Sequence, residues 1–342
     1  MTTAEQMRRT VGSVIPIWFG EETPPEHMLE LLSRTLADTE LLVAPERLVL
    51  VVDGCARAEE PTRDAADELA ARAGAHPQVI VKQKNSGKGG AVCTGFERLL
   101  EDDAVEVLNI RDCDGDHDIW DLPQLYGLFA TVRDRVGSDD LFVLGCRGSL
   151  SRSMGFARSE LEHVLNRVTI DAVNAALAEA GECVDERYTA RYRRVPDFQS
   201  GYKLYSRTAA EVLCESLSEA QATRPELRVP WWGVEFVPTV ELLLRGFTPA
   251  ALHRLTWDGQ PQTTFDETDL AEAYACQIAW LYERLGLPAT VAMPLLDNAL
   301  TACEYLTAHG GVEVIAELRR RVIERVYPEW SRELPGRGEV FV

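Results

Sequence analysis

The chain has 342 residues, 46% of them hydrophobic and 26% charged, which is ordinary for a globular protein with a sizeable core. Its formal net charge of −20 argues against nucleic-acid binding and against broad adhesion to anionic membranes, because both require a basic face. The eight cysteines form no C-x-x-C pair and have no zinc spacing, which favours reduced thiols in a cytoplasmic protein. No run of about 18 apolar residues is present and the N-terminus lacks a secretory pattern, so we expect neither a membrane span nor export.

Short apolar runs, rich in valine, isoleucine and leucine, alternate with helical patterns over residues 1–150. The runs do not alternate strictly between apolar and polar residues, which favours strands that are covered on both faces. The predicted strands are Ser13–Trp18, Arg47–Asp53, Gln78–Lys82, Val105–Arg111 and Leu141–Cys146. Helices are predicted over residues 25–38, where two consecutive prolines suit a helix start, and over residues 90–101.

The second half of the chain is richer in helical patterns. The predicted elements there are a helix over 160–180, a strand over 199–206, and helices over 208–217, 235–245, 268–285, 289–308 and 312–326. The order of strands and helices predicts an α/β fold with a largely parallel sheet and right-handed crossovers. We divide the chain into a catalytic α/β unit over residues 1–262 and a helical C-terminal extension over residues 263–342.

Four carboxylates follow the predicted strand that ends at Arg111, and they belong to Asp112, Asp114, Asp116 and Asp118. Ligands of open α/β sheets bind at the carboxyl ends of the strands, and clustered carboxylates repel one another unless a cation neutralises them. Oxygen-only ligands favour Mg²⁺ or Mn²⁺ bound together with substrate phosphates. The alternative is a solvated acidic turn, whereas the residue order does not match a calcium-binding EF-hand loop.

A second signal is the segment Asn-Ser-Gly-Lys-Gly-Gly-Ala over residues 85–91, between a predicted strand and a predicted helix. Glycines let a backbone approach a ligand, and helix N-termini attract anions, to which Lys88 adds a positive charge. The segment lacks P-loop spacing, and it is either a tight turn or a contact to a phosphate or nucleotide. Asp53, which ends another predicted strand, either accepts hydrogen bonds from a ribose or base or caps the next turn.

In this order the segments resemble the GT-A glycosyltransferases of the family 2 type, especially the polyprenyl-phosphate sugar transferases. The resemblance covers roughly residues 12–250, and its two long segments are the specific ones. The matching segments are Val14–Ile17 for the first strand, Asp53–Cys55 for D-G-S, Asn85–Ala91 for N-x-G-K-G-G-A, Asp112–Asp118 for D-A-D-G-Q-H-D, Gly145–Arg147 for G-S-R, and Asp197–Arg207 for D-x-Q-C-G-F-K-L-F-x-R. In addition, Trp232–Glu235 is similar to the Y-G-V-E segment of the glucosyl-3-phosphoglycerate synthases, which are retaining GT-A enzymes.

The sequence also departs from the family pattern. Phe19-Gly20-Glu21 stands where the family usually has Asn-Glu, and Val52 replaces the first aspartate of its D-D-G-S motif. Asp116 replaces a glutamine and adds a carboxylate. These changes leave the preferred base and sugar open.

The resemblance implies a GT-A, Rossmann-like fold, with a nucleotide-binding half over residues 12–150 and an acceptor half over residues 150–262. It implies that Asp112 and Asp114, with Asp116 as a further ligand, hold Mg²⁺ or Mn²⁺ between the donor's phosphates. The synthases add a late histidine to this site, and His253 is the candidate here, although a lone histidine is more often structural. The donor-binding residues that the resemblance implies are Pro16, Asp53, Lys88, Gly89, Asp112, Asp114 and Arg147.

For the acceptor side, Glu235 and Asp197 are candidates for the base that takes the acceptor's proton, if the reaction inverts the sugar. Glu235 is equally compatible with a carboxylate that stabilises the first turn of a helix, and a retaining reaction needs no such base. The acceptor-binding candidates are Gln199, Gly201 and Trp232. Trp232 and its neighbour Trp231 either stack on a sugar or belong to the core or rim.

The expected activity is therefore transfer of a hexose-type sugar from a UDP- or GDP-linked donor to a small, soluble acceptor. Six arginines form either a cationic mouth for an anionic acceptor or a solvated loop, and they are Arg147, Arg152, Arg158, Arg191, Arg193 and Arg194. The C-terminal helices either cover the sheet or form a homodimer contact. The alternatives are a nucleotidyltransferase, whose G-x-G-T-R run is missing here, and a non-catalytic nucleotide-binding protein.

Overall fold

Eight strands in the described part of the chain form one mixed sheet. The computed structural model describes residues 3–148, 154–189, 195–255 and 269–330. The strands are β1 (Val11–Ile17), β2 (Leu48–Asp53), β3 (Gln78–Lys82), β4 (Val107–Ile110), β5 (Leu141–Cys146), β6 (Tyr188–Thr189), β7 (Lys203–Ser206) and β8 (Thr248–His253). Across the sheet they follow the order β3-β2-β1-β4-β7-β5-β8-β6. β7 runs antiparallel to both of its neighbours, and the other described pairs are parallel.

The helices in the described residues follow the strands in an alternating order over the first half of the chain. They are α1 (Thr3–Thr10), α2 (Pro25–Leu36), α3 (Thr39–Leu42), α4 (Glu59–Ala73), α5 (Gly87–Leu100), α6 (Leu122–Val136), α7 (Phe156–Ala178), α8 (Arg207–Thr223), α9 (Val229–Trp232), α10 (Val237–Leu244), α11 (Leu270–Leu285), α12 (Ala289–Thr301) and α13 (Gly311–Val326). Helices α5 and α6 pack on the sheet. The predicted α/β class, with a mostly parallel, mixed sheet flanked by helices, is confirmed.

The apolar runs of the sequence form strands of the sheet, and their side chains are apolar on both faces because both faces are covered. Every residue of β1, β2, β4 and β5 is buried. β1 lies between β2 and β4, and α5 packs against it. All strands except β7 point the same way, so their carboxyl ends meet at one edge of the sheet. β7, being antiparallel, begins at that same edge.

The chain divides into two units. The first contains the whole sheet and combines Met1–Gly148, Glu186–Arg191 and Ser200–Gln262. The second combines Ser149–Asp185, Tyr192–Gln199 and Thr263–Val342, and in it α7 packs against α11 and α12, while α11 packs against α13. The second unit thus takes α7, which the predicted division assigned to the acceptor half, because the apolar face of α7 is covered by the C-terminal helices.

Three differences from the predicted elements concern the sheet, and the first is that the two-residue β6 was not predicted. β7 begins at Lys203 rather than at residue 199, because the preceding residues form a turn. β8 was not predicted, and its sequence Thr-Pro-Ala-Ala-Leu-His resembles a turn more than a strand. It forms because every residue of β5 pairs with it. None of the helices in the described ranges combines the length and the apolar character needed to cross a membrane.

Replacing Gly95 with alanine should destabilise the fold. A Cβ atom at Gly95 on α5 would lie 2.5 Å from Cγ1 and 2.6 Å from Cγ2 of the buried Val14 on β1. Overpacking of this kind costs about 1–3 kcal/mol. Gly127→Ala is the matched control, because Gly127 is also helical but has no atom within 4 Å of its added Cβ. The control should gain about 1 kcal/mol from helix propensity. Urea unfolding curves that give both variants the same free energy change would contradict this packing.

Candidate functional site

The carboxyl edge of the sheet brings together three segments that are distant in sequence. Asp53 is the last residue of β2, Asp112 follows β4 by two residues, and α5 begins at Gly87. The turn that precedes β7 places Gly201 at the same edge, where an added Cβ would lie 3.2 Å from Asp112 Oδ2 and 3.2 Å from Lys88 Nζ. Gly201 therefore packs tightly against both charged groups, and even a methyl group at this position would press on them.

Lys88 connects the acidic segment to Glu235. Its Nζ lies 2.7 Å from Asp112 Oδ1 and 2.6 Å from Glu235 Oε1, and the Lys88–Glu235 contact joins residues 147 positions apart. The three side chains are 27%, 31% and 19% exposed, so a ligand can reach them. Burial alone would lower the pKa of Lys88, but the charges and hydrogen bonds of the two carboxylates raise it well above its usual range. Lys88 is therefore a permanent cation shared by two acids.

The acidic segment is held as a closed turn by buried neighbours. The backbone N–H of Asp112 donates to His117 Nδ1 at 2.9 Å, and Arg111 Nε donates to the carbonyl of His117 at 3.0 Å. Burial and the nearby arginine and lysine charges, beginning with Arg254, lower the pKa of His117 well below its usual value. His117 is thus neutral, with its proton on Nε2, because Nδ1 accepts a hydrogen bond.

The remaining carboxylates of the turn differ from each other. Asp114 has its pKa raised to about 6 by burial and by the charge of Asp112. Asp116 donates from its backbone to Asp114 Oδ1 at 3.1 Å, and its carboxylate lies 3.8 Å from Arg254 Nη2. Asp116 thus faces a guanidinium, whereas Asp112 and Asp114 repel each other. Such a repulsion is what a divalent cation relieves.

Within the described residues, no group of three or more His, Cys, Asp or Glu side chains is arranged to hold a metal ion. The residues that fit Mg²⁺ or Mn²⁺ are the two mutually repelling carboxylates of Asp112 and Asp114. These ions commonly use one or two carboxylates together with phosphate oxygens and water. His253 ends β8 opposite Cys146 and is exposed, and the next residue, Arg254, is the one that reaches the acidic turn. The four-residue metal set, with His253 and Asp116, stays a prediction.

The carboxylate of Asp53 is hydrogen-bonded to the loop that precedes α5. Its carboxylate accepts hydrogen bonds from the backbone N–H of Ser86 at 2.9 Å and from the hydroxyl of Ser86 at 2.7 Å. The Asn85 side chain in turn accepts from the backbone N–H of Gly87 at 2.8 Å. This arrangement corresponds to the alternative in which Asp53 holds a turn, and it fixes the start of the helix that carries Lys88.

Glu235 is oriented through its backbone. The buried Lys203 donates from Nζ to the carbonyl of Glu235 at 2.6 Å, and the hydroxyl of Thr239 donates to the same carbonyl at 2.7 Å. Lys203 lies on β7 and was not among the predicted site residues, although it belongs to the segment Asp197–Arg207 that carries the resemblance. The signal was present in the motif, but its contact with Glu235 depends on folding.

The adjacent residues Trp231 and Trp232 differ in their exposure and in their contacts. Trp232 is partly buried and donates from Nε1 to the carbonyl of Leu227 at 2.6 Å. Trp231 is 41% exposed, and the guanidinium of Arg228 lies 4.4 Å from its ring centroid. A Cβ at Gly87 would lie 2.9 Å from Trp231, so this ring borders the start of α5. Trp231, rather than Trp232, is therefore the exposed aromatic at the start of α5.

Other predicted residues lie at different places. Pro16 is buried in β1 opposite Val51, Gly89 packs against Pro230, and Arg147 is a buried residue just after β5. Asp197 and Gln199 belong to the second unit, where Asp197 is buried and Gln199 Nε2 has no hydrogen-bond partner among the described residues. Arg158 pairs with Glu162 on α7 at 3.4 Å. The remaining arginines of the expected cationic mouth, Arg152, Arg191, Arg193 and Arg194, lie outside the described residues.

The titration of Asp114 should appear in the stability of the metal-free protein. Its pKa of about 6 exceeds the ordinary value of 3.8, so the folded chain binds this proton more tightly than the unfolded chain does. The resulting stabilisation is complete below about pH 4 and is lost as pH rises through about 6. Asp114→Asn cannot titrate. We therefore expect wild type to lose stability relative to Asp114→Asn between pH 4.5 and pH 7.5, as measured by urea unfolding in EDTA. A difference that does not change with pH would contradict the burial of this carboxyl beside Asp112.

Comparison with protein-family models gives no match, and comparison with curated proteins gives none either. Among solved structures, the crystal structure of a mycobacterial protein is similar, with a TM-score of 0.43 and 15% sequence identity over 84% of this chain and 80% of that chain. A likeness of this size assigns no activity. The functional argument therefore rests on the residues at the carboxyl edge of the sheet.

Proposed function

We propose that this protein is a metal-dependent glycosyltransferase with a GT-A fold. It moves a hexose-type sugar from a UDP- or GDP-linked donor to a small acceptor. The observation that carries the proposal is the contact of Lys88 with both Asp112 and Glu235. Each of these residues belongs to a different segment of the resemblance described above, and the three segments meet at the edge where α/β folds bind ligands.

In this proposal Asp112 and Asp114 would hold Mg²⁺ or Mn²⁺ next to the donor's diphosphate. When bound there, the ion would supply positive charge to stabilise the departing nucleoside diphosphate. Lys88 adds a second positive charge from the first turn of α5, whose N-terminus also favours a phosphate. The neutral His117 and the buried Arg111 keep the acidic turn closed, so that the two carboxylates need no reorganisation when the donor binds.

Glu235 is the proposed proton acceptor for an inverting transfer. Its backbone carbonyl is fixed by Lys203 and Thr239, while its carboxylate faces Lys88 at 2.6 Å. A general base must lie within hydrogen-bond reach of the proton that it removes, and a fixed backbone favours this. Gly201, a candidate acceptor residue, packs against Asp112 and Lys88 at the same site. Asp197, which lies in the second unit, remains the other candidate.

A thermal-shift screen of UDP- and GDP-linked hexoses, each with and without Mn²⁺, tests this proposal. We expect at least one donor to raise the melting temperature only when Mn²⁺ is present. Asp114→Ala should abolish that metal-dependent shift while its own melting curve stays cooperative. Mass spectrometry of the stabilising donor should then detect a free nucleoside diphosphate and transferred or hydrolysed sugar.

The other outcomes of this screen have defined meanings. Release of pyrophosphate from a nucleoside triphosphate would indicate a nucleotidyltransferase instead. Tight donor binding without hydrolysis or transfer would indicate a non-catalytic nucleotide-binding protein. A metal-dependent shift that persists in Asp114→Ala would contradict the proposed ion site.

A further inference from the structure

Lys88 contacts the two carboxylate oxygens that a metal ion and a substrate would need. Its ammonium lies 2.7 Å from Asp112 Oδ1, and Mg²⁺ or Mn²⁺ bound to the same carboxylate oxygen would lie at about 2.1 Å. The same ammonium lies 2.6 Å from Glu235 Oε1, the atom that would accept a proton. Two cations on one carboxylate oxygen repel each other, so the ion and Lys88 compete for Asp112.

The partial burial of Lys88 and its place at the start of α5 limit which anions its ammonium can reach. Its side chain is only 27% exposed, and its partners Asp112 and Glu235 are 31% and 19% exposed. Lys88 lies in the first turn of α5, where the helix N-terminus attracts anions. A diphosphate at that N-terminus would therefore present oxygens to Lys88 and draw its ammonium away from the two carboxylates.

We propose that Lys88 is a built-in cation that holds Asp112 and Glu235 while no diphosphate is bound, and that it releases both when a nucleoside diphosphate arrives. This inference rests on the proposed glycosyltransferase function and concerns the control of that site. Release of Asp112 opens the ion's position, and release of Glu235 frees its carboxylate for the acceptor. Metal and nucleotide then bind cooperatively, and by linkage each increases the affinity of the other by the same factor.

Equilibrium binding of Mn²⁺ without nucleotide tests this competition directly. The fraction of bound Mn²⁺ can be measured by electron paramagnetic resonance of the free ion. Lys88→Met removes the competing ammonium and should tighten Mn²⁺ binding about tenfold, within the usual range of coupling between sites. Lys88→Arg keeps the charge at this position and should bind Mn²⁺ within about threefold of wild type, as expected when the cation itself competes.

Lys84→Met is the matched control for the change in net charge. Lys84 is exposed in the same loop and, in the part of the chain that the structure describes, forms no ion pair with Asp112 or Glu235. We expect its Mn²⁺ affinity to stay within about threefold of wild type, because exposed charges beyond contact distance are screened by salt. Addition of UDP or GDP should then increase Mn²⁺ affinity more in wild type than in Lys88→Met.

The outcomes separate this inference from the proposed function. If Lys88→Met binds Mn²⁺ no more tightly than Lys84→Met does, the competition is wrong, although the transferase proposal stands as long as wild type binds Mn²⁺ with a donor. If no variant binds millimolar Mn²⁺ with UDP or GDP present, the metal site itself fails and both proposals fall. Cooperative thermal unfolding of each variant in EDTA establishes that it is folded in these measurements.

Discussion

Replacement of Arg111 by methionine should lower the free energy of unfolding by about 3–5 kcal/mol. Hydrogen bonds of a buried charge are worth about 1.5–3 kcal/mol each, and methionine offsets part of their summed loss because it avoids the desolvation of the guanidinium. Arg111 is 1% exposed and donates to the carbonyl of His117, the hydroxyl of Thr39 and the carbonyl of Thr35. Methionine fills part of the volume but donates to none of these acceptors. The acidic turn also loses its tie to α2 and α3, so the metal-dependent donor shift should fall with the stability. Urea unfolding measures the first effect, and the thermal-shift assay measures the second.

Arg63→Met is the control for this substitution. Arg63 is exposed on α4 and pairs with Glu59 one helical turn away at 2.9 Å. Exposed pairs of this kind contribute about 0.3–0.5 kcal/mol. If Arg111→Met were as mild as Arg63→Met, the buried arginine would not be what holds the acidic turn.

Replacement of Asp112 by asparagine should weaken Mn²⁺-dependent donor binding by about 100-fold or more. Loss of a residue that merely supports a metal ligand costs about 10–100-fold, and Asp112 is itself a proposed ligand. Asparagine keeps the shape of the side chain and the backbone bond from Asp112 to His117, but it removes the charge that faces Lys88 at 2.7 Å. Isothermal titration of the stabilising donor, with and without Mn²⁺, measures this loss.

Asp118→Asn makes the same charge change within the same acidic segment. Asp118 is exposed, and its carboxylate accepts from the backbone N–H of Trp120, a bond that the asparagine oxygen retains. Donor binding should therefore stay within about threefold of wild type, because an exposed charge is screened by water and salt. Equal losses in the two variants would mean that general acidity, and not Asp112 itself, supports donor binding.

Much of the sheet could be predicted because its central strands carry their own signal. β1, β2 and β5 are runs of apolar residues that are buried along their whole length, so pattern and structure agree. β8 could not be predicted, because it contains Pro249 and two alanines and owes its conformation to pairing with β5. The antiparallel insertion of β7 between β4 and β5 could not be predicted from the sequence either, because strand order depends on contacts between distant segments.

The sequence predicted which residues belong to the candidate site better than it predicted the contacts between them. Asp112, Lys88 and Glu235 were all selected from the sequence, but nothing in their spacing indicated that one ammonium contacts both acids. His253 was chosen because the similar synthases add a late histidine to the metal site, whereas its exposed position and the burial of Arg254 depend on how β8 ends. Residues that act through buried hydrogen bonds, such as Lys203, have no sequence signal apart from their motif.

The most direct test of the account is the position of manganese in a crystal soaked with Mn²⁺ and a UDP- or GDP-linked hexose. Anomalous scattering should place the ion at about 2.1 Å from carboxylate oxygens of Asp112 and Asp114, and in contact with the donor's phosphates. Lys88 should then have turned from Asp112 toward a phosphate. A donor bound with no manganese at these carboxylates, and with Lys88 still bridging Asp112 and Glu235, would contradict the account.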